Sequence, residues 1–156
     1  MALSKKFKKI IFLFLSFWIL PTIVLIINVI FNNEISKEDL YCNNISFNKI
    51  FLTNICIYFA VIVTGYLHRI IPTIIYYYNS FSFSLVFSIS LSENGILKAI
   101  FLTVPHGITE ILAFSIALYI GENFKYIKEN KKLAISGMIL IFISALLESY
   151  ITVLFR

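Results

Sequence analysis

Three ionisable side chains sit where charge is expensive. His106, Glu110 and Glu148 each fall inside long apolar runs. Carrying an acidic side chain to the centre of a membrane helix costs about 2.5–3.5 kcal/mol on insertion scales. Such a residue must face protein or a water-filled cavity, and by default it marks an ion path, a proton relay or a binding site. The plainer reading is a polar clasp between helices. Residue type alone leaves both open. His106 and Glu110 are four apart and share one helix face, which continues through Ala113, Ala117 and Gly121. Small residues let a second backbone approach, so this stripe should pack on another helix rather than on lipid. Pro105 and Gly107 flank His106. A proline removes a backbone hydrogen bond and crowds the preceding turn, so a helix break is expected there.

The matching face lies in the last apolar run, where Ser144, Glu148 and Thr152 align. Counted at 1.5 Å per residue from assumed span ends, His106 and Glu148 differ in depth by only about 5 Å. A cluster of His106, Glu110 and Glu148 between the last two spans is therefore expected. Ser80, Ser84 and Ser88 recur every fourth residue and form a second candidate packing seam. Asn28 and Asn54 are expected to hydrogen-bond between helices.

Enzymatic chemistry finds little support. Zinc catalysis takes about three protein ligands. The chain has two histidines, and His68 is expected near the opposite membrane boundary from His106. The H-E-x-x-H, G-x-S-x-G and Walker patterns are absent from the sequence. No catalytic residue, metal site or cofactor is expected. Cys42 falls in a polar loop and Cys56 in a span, so no disulfide between them is expected.

The elements that must position these residues follow from composition. The 156 residues are 60% hydrophobic and 13% charged, whereas soluble domains run nearer 45–50% and about 25%. Lipid must cover the surplus. Five long apolar runs, at about 10–31, 50–67, 70–91, 96–121 and 133–155, predict an all-α polytopic membrane bundle in a single domain over residues 1–156. A membrane helix needs about 20 such residues. The first run follows Lys5, Lys6, Lys8 and Lys9. It is longer than the apolar stretch of roughly 7–15 residues in a signal peptide and ends without a small-residue cleavage site. It reads as an uncleaved anchor, with a kink at Pro21.

Net charge is +5. The basic residues stand at span ends rather than in a stripe suited to nucleic acid. With the N-terminus inside, the inner segments hold nine lysines and arginines and the outer ones four. The positive-inside rule then favours N-in and C-out in a bacterial cytoplasmic membrane. The loop from Asn32 to Lys49 would lie outside.

The stretch from Val104 to Ala113 reads Val-Pro-His-Gly-Ile-Thr-Glu-Ile-Leu-Ala. It resembles the signature of the stage II sporulation protein M family, which has Pro-His-Gly, two residues, Glu and a nearby Ala in a late membrane segment. That family's last span ends in Glu, two residues and Ile-Thr after small residues, and residues 144–152 are similar. The resemblance is best over residues 96–152. It implies a non-catalytic membrane protein. Sporulation members are scaffolds for the peptidoglycan-degrading machinery of engulfment. The branch that carries the Pro-His-Gly-x-x-Glu word includes standalone proteins. Some lie in circular bacteriocin gene clusters beside ABC transporters and are implicated in maturation, secretion or self-protection. The compact chain suits that branch better. Expected partners are the lipid bilayer and either ABC transporter subunits or cell-wall machinery, with a second copy of the chain also possible. A small proton-linked carrier or channel is a further alternative.

Overall fold

Pro21 has no N–H to offer the carbonyl of Phe17, and the first span bends just before it. In the computed structural model, which describes residues 4–31 and 46–151 (side chains at 28–31, 93–94 and 151 excepted), this span is two helices, α1 (Lys5–Phe17) and α2 (Ile19–Phe31). Trp18 is the joint, and its N–H reaches only three residues back, to Leu15 O at 3.2 Å. A proline ring crowds the turn before it, which places the bend N-terminal to Pro21. The freed Phe17 carbonyl accepts a hydrogen bond from Ser80 Oγ at 2.6 Å.

After this come α3 (Phe47–Thr64), α4 (Ile70–Glu122) and α5 (Lys131–Leu146), the last continuing into a π-helical segment, Leu147–Ile151. The fold is all-α, and no strand occurs among the described residues. Five stretches are long and apolar enough to cross a membrane: Lys5–Ile27, Phe47–Thr64, Ile70–Ser92, Gly95–Glu122 and Lys131–Tyr150. Large apolar side chains such as Phe12, Leu52, Val86, Leu97 and Ile139 point outward. Lipid is the solvent that such a surface requires, and the chain is a multi-pass membrane protein.

The two apolar runs at 70–91 and 96–121 form one long helical element interrupted at Gly95, whose φ is 74° and ψ 168°. That region of backbone space is essentially reserved for glycine. A Cβ there would meet nothing within 4 Å, so conformation rather than crowding calls for Gly95. The helix break expected at Pro105 and Gly107 does not occur: helical dihedrals run through both. A proline's fixed φ is itself helical, so its cost is confined to one missing N–H and a local clash. Inside a bundle, neighbouring helices can absorb that loss.

Hydrogen bonds and close backbone approach hold the bundle together, because lipid leaves little hydrophobic drive between helices. Tyr76 is fully buried, and its hydroxyl donates to Leu13 O at 2.7 Å and contacts Ser115 Oγ at 2.9 Å. Tyr77 OH donates to Ser16 Oγ at 3.1 Å. These bonds and Ser80 tie α1 to α4. Ser84 and Ser88 are buried on the same face as Ser80, and Ser84 Oγ donates to Ser80 O. Across the bundle, Tyr58 OH donates to Ala134 O at 2.8 Å, joining α3 to α5.

Ala113 and Ala117 are buried without remaining exposure, and Gly121 extends their face to a three-way crossing. A Cβ on Gly121 would fall 2.6 Å from Val61 O and 3.1 Å from the ring of Pro72. One on Gly65 would collide with the backbone of Gly121 itself. At the same end Lys9 Nζ pairs with Glu122 at 2.6 Å, Lys6 Nζ donates to Asn130 Oδ1 at 3.1 Å, and the rings of Tyr66 and Phe124 meet edge to face. The start of α1 and the α3–α4 and α4–α5 connections therefore gather at one end of the bundle.

Candidate functional site

α4 presents His106 and Glu110 one turn apart from its second half. The π-helical segment presents Glu148 as its second residue. All three line one cavity of about 430 Å³. π-helical turns are rare and often mark functional sites. Here the wider turn lies at the end of α5, where Ser149 Oγ donates to Ala145 O at 2.7 Å. Glu110 and Glu148 are within electrostatic reach of one another.

Two further contacts set the geometry. Ser144 Oγ, on α5, donates to the carbonyl of His106 at 3.0 Å, and Thr109 Oγ1 donates to the same carbonyl at 2.8 Å. The His106 backbone is thereby held from both its own helix and the next one. Gly107, the following residue, is buried against the ring of Phe83, which a Cβ would approach to 3.0 Å. Phe83 itself packs edge to face on Phe17 and Trp18. Gly107 thus serves close packing rather than a break, and Pro105 is exposed.

The expected pair of spans is not the whole enclosure. α3 forms a third wall, and the side chain of Asn54 hydrogen-bonds to Glu110. Lys49, read from sequence as the end of a polar loop, lies instead in the first turn of α3 and lines the cavity together with Thr53. The first half of α4 contributes Asn79 and Ser82. A signal for these was present. Lys49 and Thr53 are spaced i, i+4 with Asn54 beside them, and Asn79 and Ser82 are spaced i, i+3. Apolar walls come from Phe17, Ile50, Phe83 and Phe114.

The other singled-out residues lie elsewhere. Ser80, Ser84 and Ser88 serve the α1–α4 side, and Ala113, Ala117 and Gly121 lead away from the cavity toward the crossing with α3. His68 is exposed at the α3–α4 connection, where Nδ1 accepts the N–H of Ile70 at 3.2 Å. The loop over residues 32–45 with Cys42, the side chain of Asn28, and Thr152 are outside the described residues.

Chemically, the cavity combines two carboxyl groups, an imidazole, an ammonium and side-chain amides with aromatic walls, inside a bundle whose outer surface is apolar. It can hold a cationic or hydrogen-bonding group away from lipid. Among the described residues, no group of three His, Cys, Asp or Glu side chains is placed to hold a metal ion.

A family model described as stage II sporulation protein M matches residues 10–153, nearly the full chain. No curated protein and no solved structure matches it.

Proposed function

The chain belongs to the stage II sporulation protein M family, and from that premise we propose that it is a non-catalytic subunit of the bacterial cytoplasmic membrane. It helps to export or mature a bacteriocin-type peptide, or protects the cell from one, beside an ABC transporter. The observation that carries this reading is the shared cavity of His106, Glu110 and Glu148. A subunit that only filled space would gain nothing from ionisable groups that cost several kcal/mol to insert. At about 430 Å³ the cavity is of ligand-pocket size. It is far too small for a whole peptide and suits one side chain of it.

In this reading the end that gathers Lys5, Lys6, Lys8, Lys9, Arg69, Lys125, Lys128, Lys131 and Lys132 faces the cytoplasm. The N-terminus is then inside, the C-terminus outside, and Lys49 stands near the outer surface. The test is affinity purification of the full chain in mild detergent, with identification of what accompanies it. An ATPase and its permease are the expected companions.

The family's description favours a second reading, a membrane scaffold for cell-wall remodelling in a spore former. Recovery of peptidoglycan hydrolases in place of transporter subunits would select it.

A further inference from the structure

We propose that the bundle holds one phospholipid of net negative charge, its phosphate seated in a cleft between the start of α1 and the start of α5.

This cleft is separate from the cavity of His106. Lys6, Phe7 and Ile10 line one side and Glu129, Lys132 and Leu133 the other, around a space of about 390 Å³. The spans Lys5–Ile27 and Lys131–Tyr150 both begin here, so the cleft stands where hydrocarbon gives way to water.

The way Lys6 is held carries the inference. Its Nζ donates to Asn130 Oδ1 at 3.1 Å, and Asn130 is buried and anchored in turn by donating through Nδ2 to Tyr126 O at 3.1 Å. A neutral amide fixes the ammonium in place without cancelling its charge. Lys9, one turn on, differs in pairing with Glu122. An ammonium has three donors, so Lys6 keeps two for a ligand. Lys132 adds a second ammonium, and neither lysine has a carboxylate partner among the described residues. Glu129 is the opposing charge in the lining, and all three side chains belong to exposed residues. Two ammonium groups against one carboxylate leave a complement of one negative charge. Lys5, Lys8, Lys128 and Lys131 are exposed outside the lining and add to the positive potential around it. Lysine binds phosphate as a point charge. Phe7, Ile10 and Leu133 give the cleft an apolar part that free phosphate would leave unused and a lipid's glycerol and acyl chains would cover. Basic pockets between membrane helices are a recurring site for anionic headgroups.

The test uses the full chain in a neutral maltoside detergent at fixed ionic strength. Phosphatidylglycerol should raise the unfolding temperature. Phosphatidylethanolamine and phosphatidylcholine with the same acyl chains should not, and neither should inorganic phosphate. Lys6→Gln keeps a donor for Asn130 and removes the charge. It should raise the phosphatidylglycerol fraction needed for half the shift about fivefold. Lys132→Gln should act in the same direction, and Glu129→Gln should lower that fraction. Lys8→Gln removes the same charge from outside the cleft and should change it less than twofold.

Equal effects of Lys6→Gln and Lys8→Gln would mean diffuse attraction and overturn the site. Equal shifts from phosphatidylethanolamine would overturn the choice of an anionic lipid, and a shift reproduced by inorganic phosphate would overturn the choice of a lipid. Should the Lys6 variant fail to fold, Ser136→Cys reports instead, because Ser136 borders the cleft. In a chain with Cys42 and Cys56 changed to Ser, phosphatidylglycerol should slow alkylation of that thiol more than phosphatidylcholine does. Equal rates in the two lipids would count against the site.

Discussion

Ser80 Oγ donates to the carbonyl of Phe17 at 2.6 Å, supplying the hydrogen bond that Pro21 withholds. The pair couples a bend in the first span to a serine on α4. Unpaired carbonyls at membrane depth cost several kcal/mol, so the serine does more than fill space. Side-chain hydrogen bonds between membrane helices average about 0.6 kcal/mol and reach about 1.7. Ser80→Ala should therefore destabilise by about 1–2 kcal/mol in reversible unfolding. In a Pro21→Ala background, where residue 21 regains its N–H, the same change should cost less. Equal costs in both backgrounds would show that the two residues are not coupled.

The glycines at the crossing and at the α4 interruption should respond differently. Gly65→Ala places a methyl group against the Gly121 backbone, which has no rotamer with which to yield. Overpacking of this kind costs about 1–3 kcal/mol or more, and folded yield in size-exclusion chromatography should fall sharply. Gly95→Ala meets open space and bears only the backbone penalty of φ 74°, about 1–3 kcal/mol. It should shorten thermal lifetime yet leave a monodisperse protein.

Lys9 and Glu122 pair at the gathered end, but the lysine side chain is 44% exposed. Solvent screening holds such pairs below about 1 kcal/mol. Lys9→Ala should shift the unfolding temperature little. Its larger effect should be on orientation, because it removes one of the charges on which N-in placement rests.

That placement is open to direct labelling. In a chain with Cys42 and Cys56 changed to Ser, single cysteines replacing the exposed Ser4 and Lys128 should react with a membrane-impermeant thiol reagent only from the cytoplasmic side. One replacing Ser46 should react from outside. Labelling of Ser4 and Lys128 from opposite sides would contradict their placement at one end.

Much of the fold is legible in the sequence because lipid imposes a simple rule: each span must be a long, predominantly apolar run. The five runs and the all-α class follow from that alone. Residues whose placement depends on contact between distant segments are harder to read. Nothing local to Lys49 shows that α3 begins at Phe47 and brings the lysine to the rim of the cavity that Glu148 lines. The bond from Asn54 to Glu110 joins elements more than fifty positions apart, which periodicity within one helix does not register. The depth arithmetic places His106 and Glu148 near one level, but it carries no information about the third wall. At Pro105 a local rule points to a break, and the packed bundle keeps the helix going. The interruption falls at Gly95, where the backbone must leave the helical region altogether.

The central claim is that Glu110 faces a cavity that α3 helps to wall. Cysteines replacing Asn54 and Glu110 in the Cys42→Ser, Cys56→Ser chain test it most directly, because the native side chains are hydrogen-bonded. Mild oxidation of native membranes should join them in high yield, seen as a shift in electrophoretic mobility that a reductant reverses. No disulfide under any oxidant, together with reaction of the residue 110 thiol with a lipid-soluble maleimide, would put Glu110 in the bilayer and contradict the account.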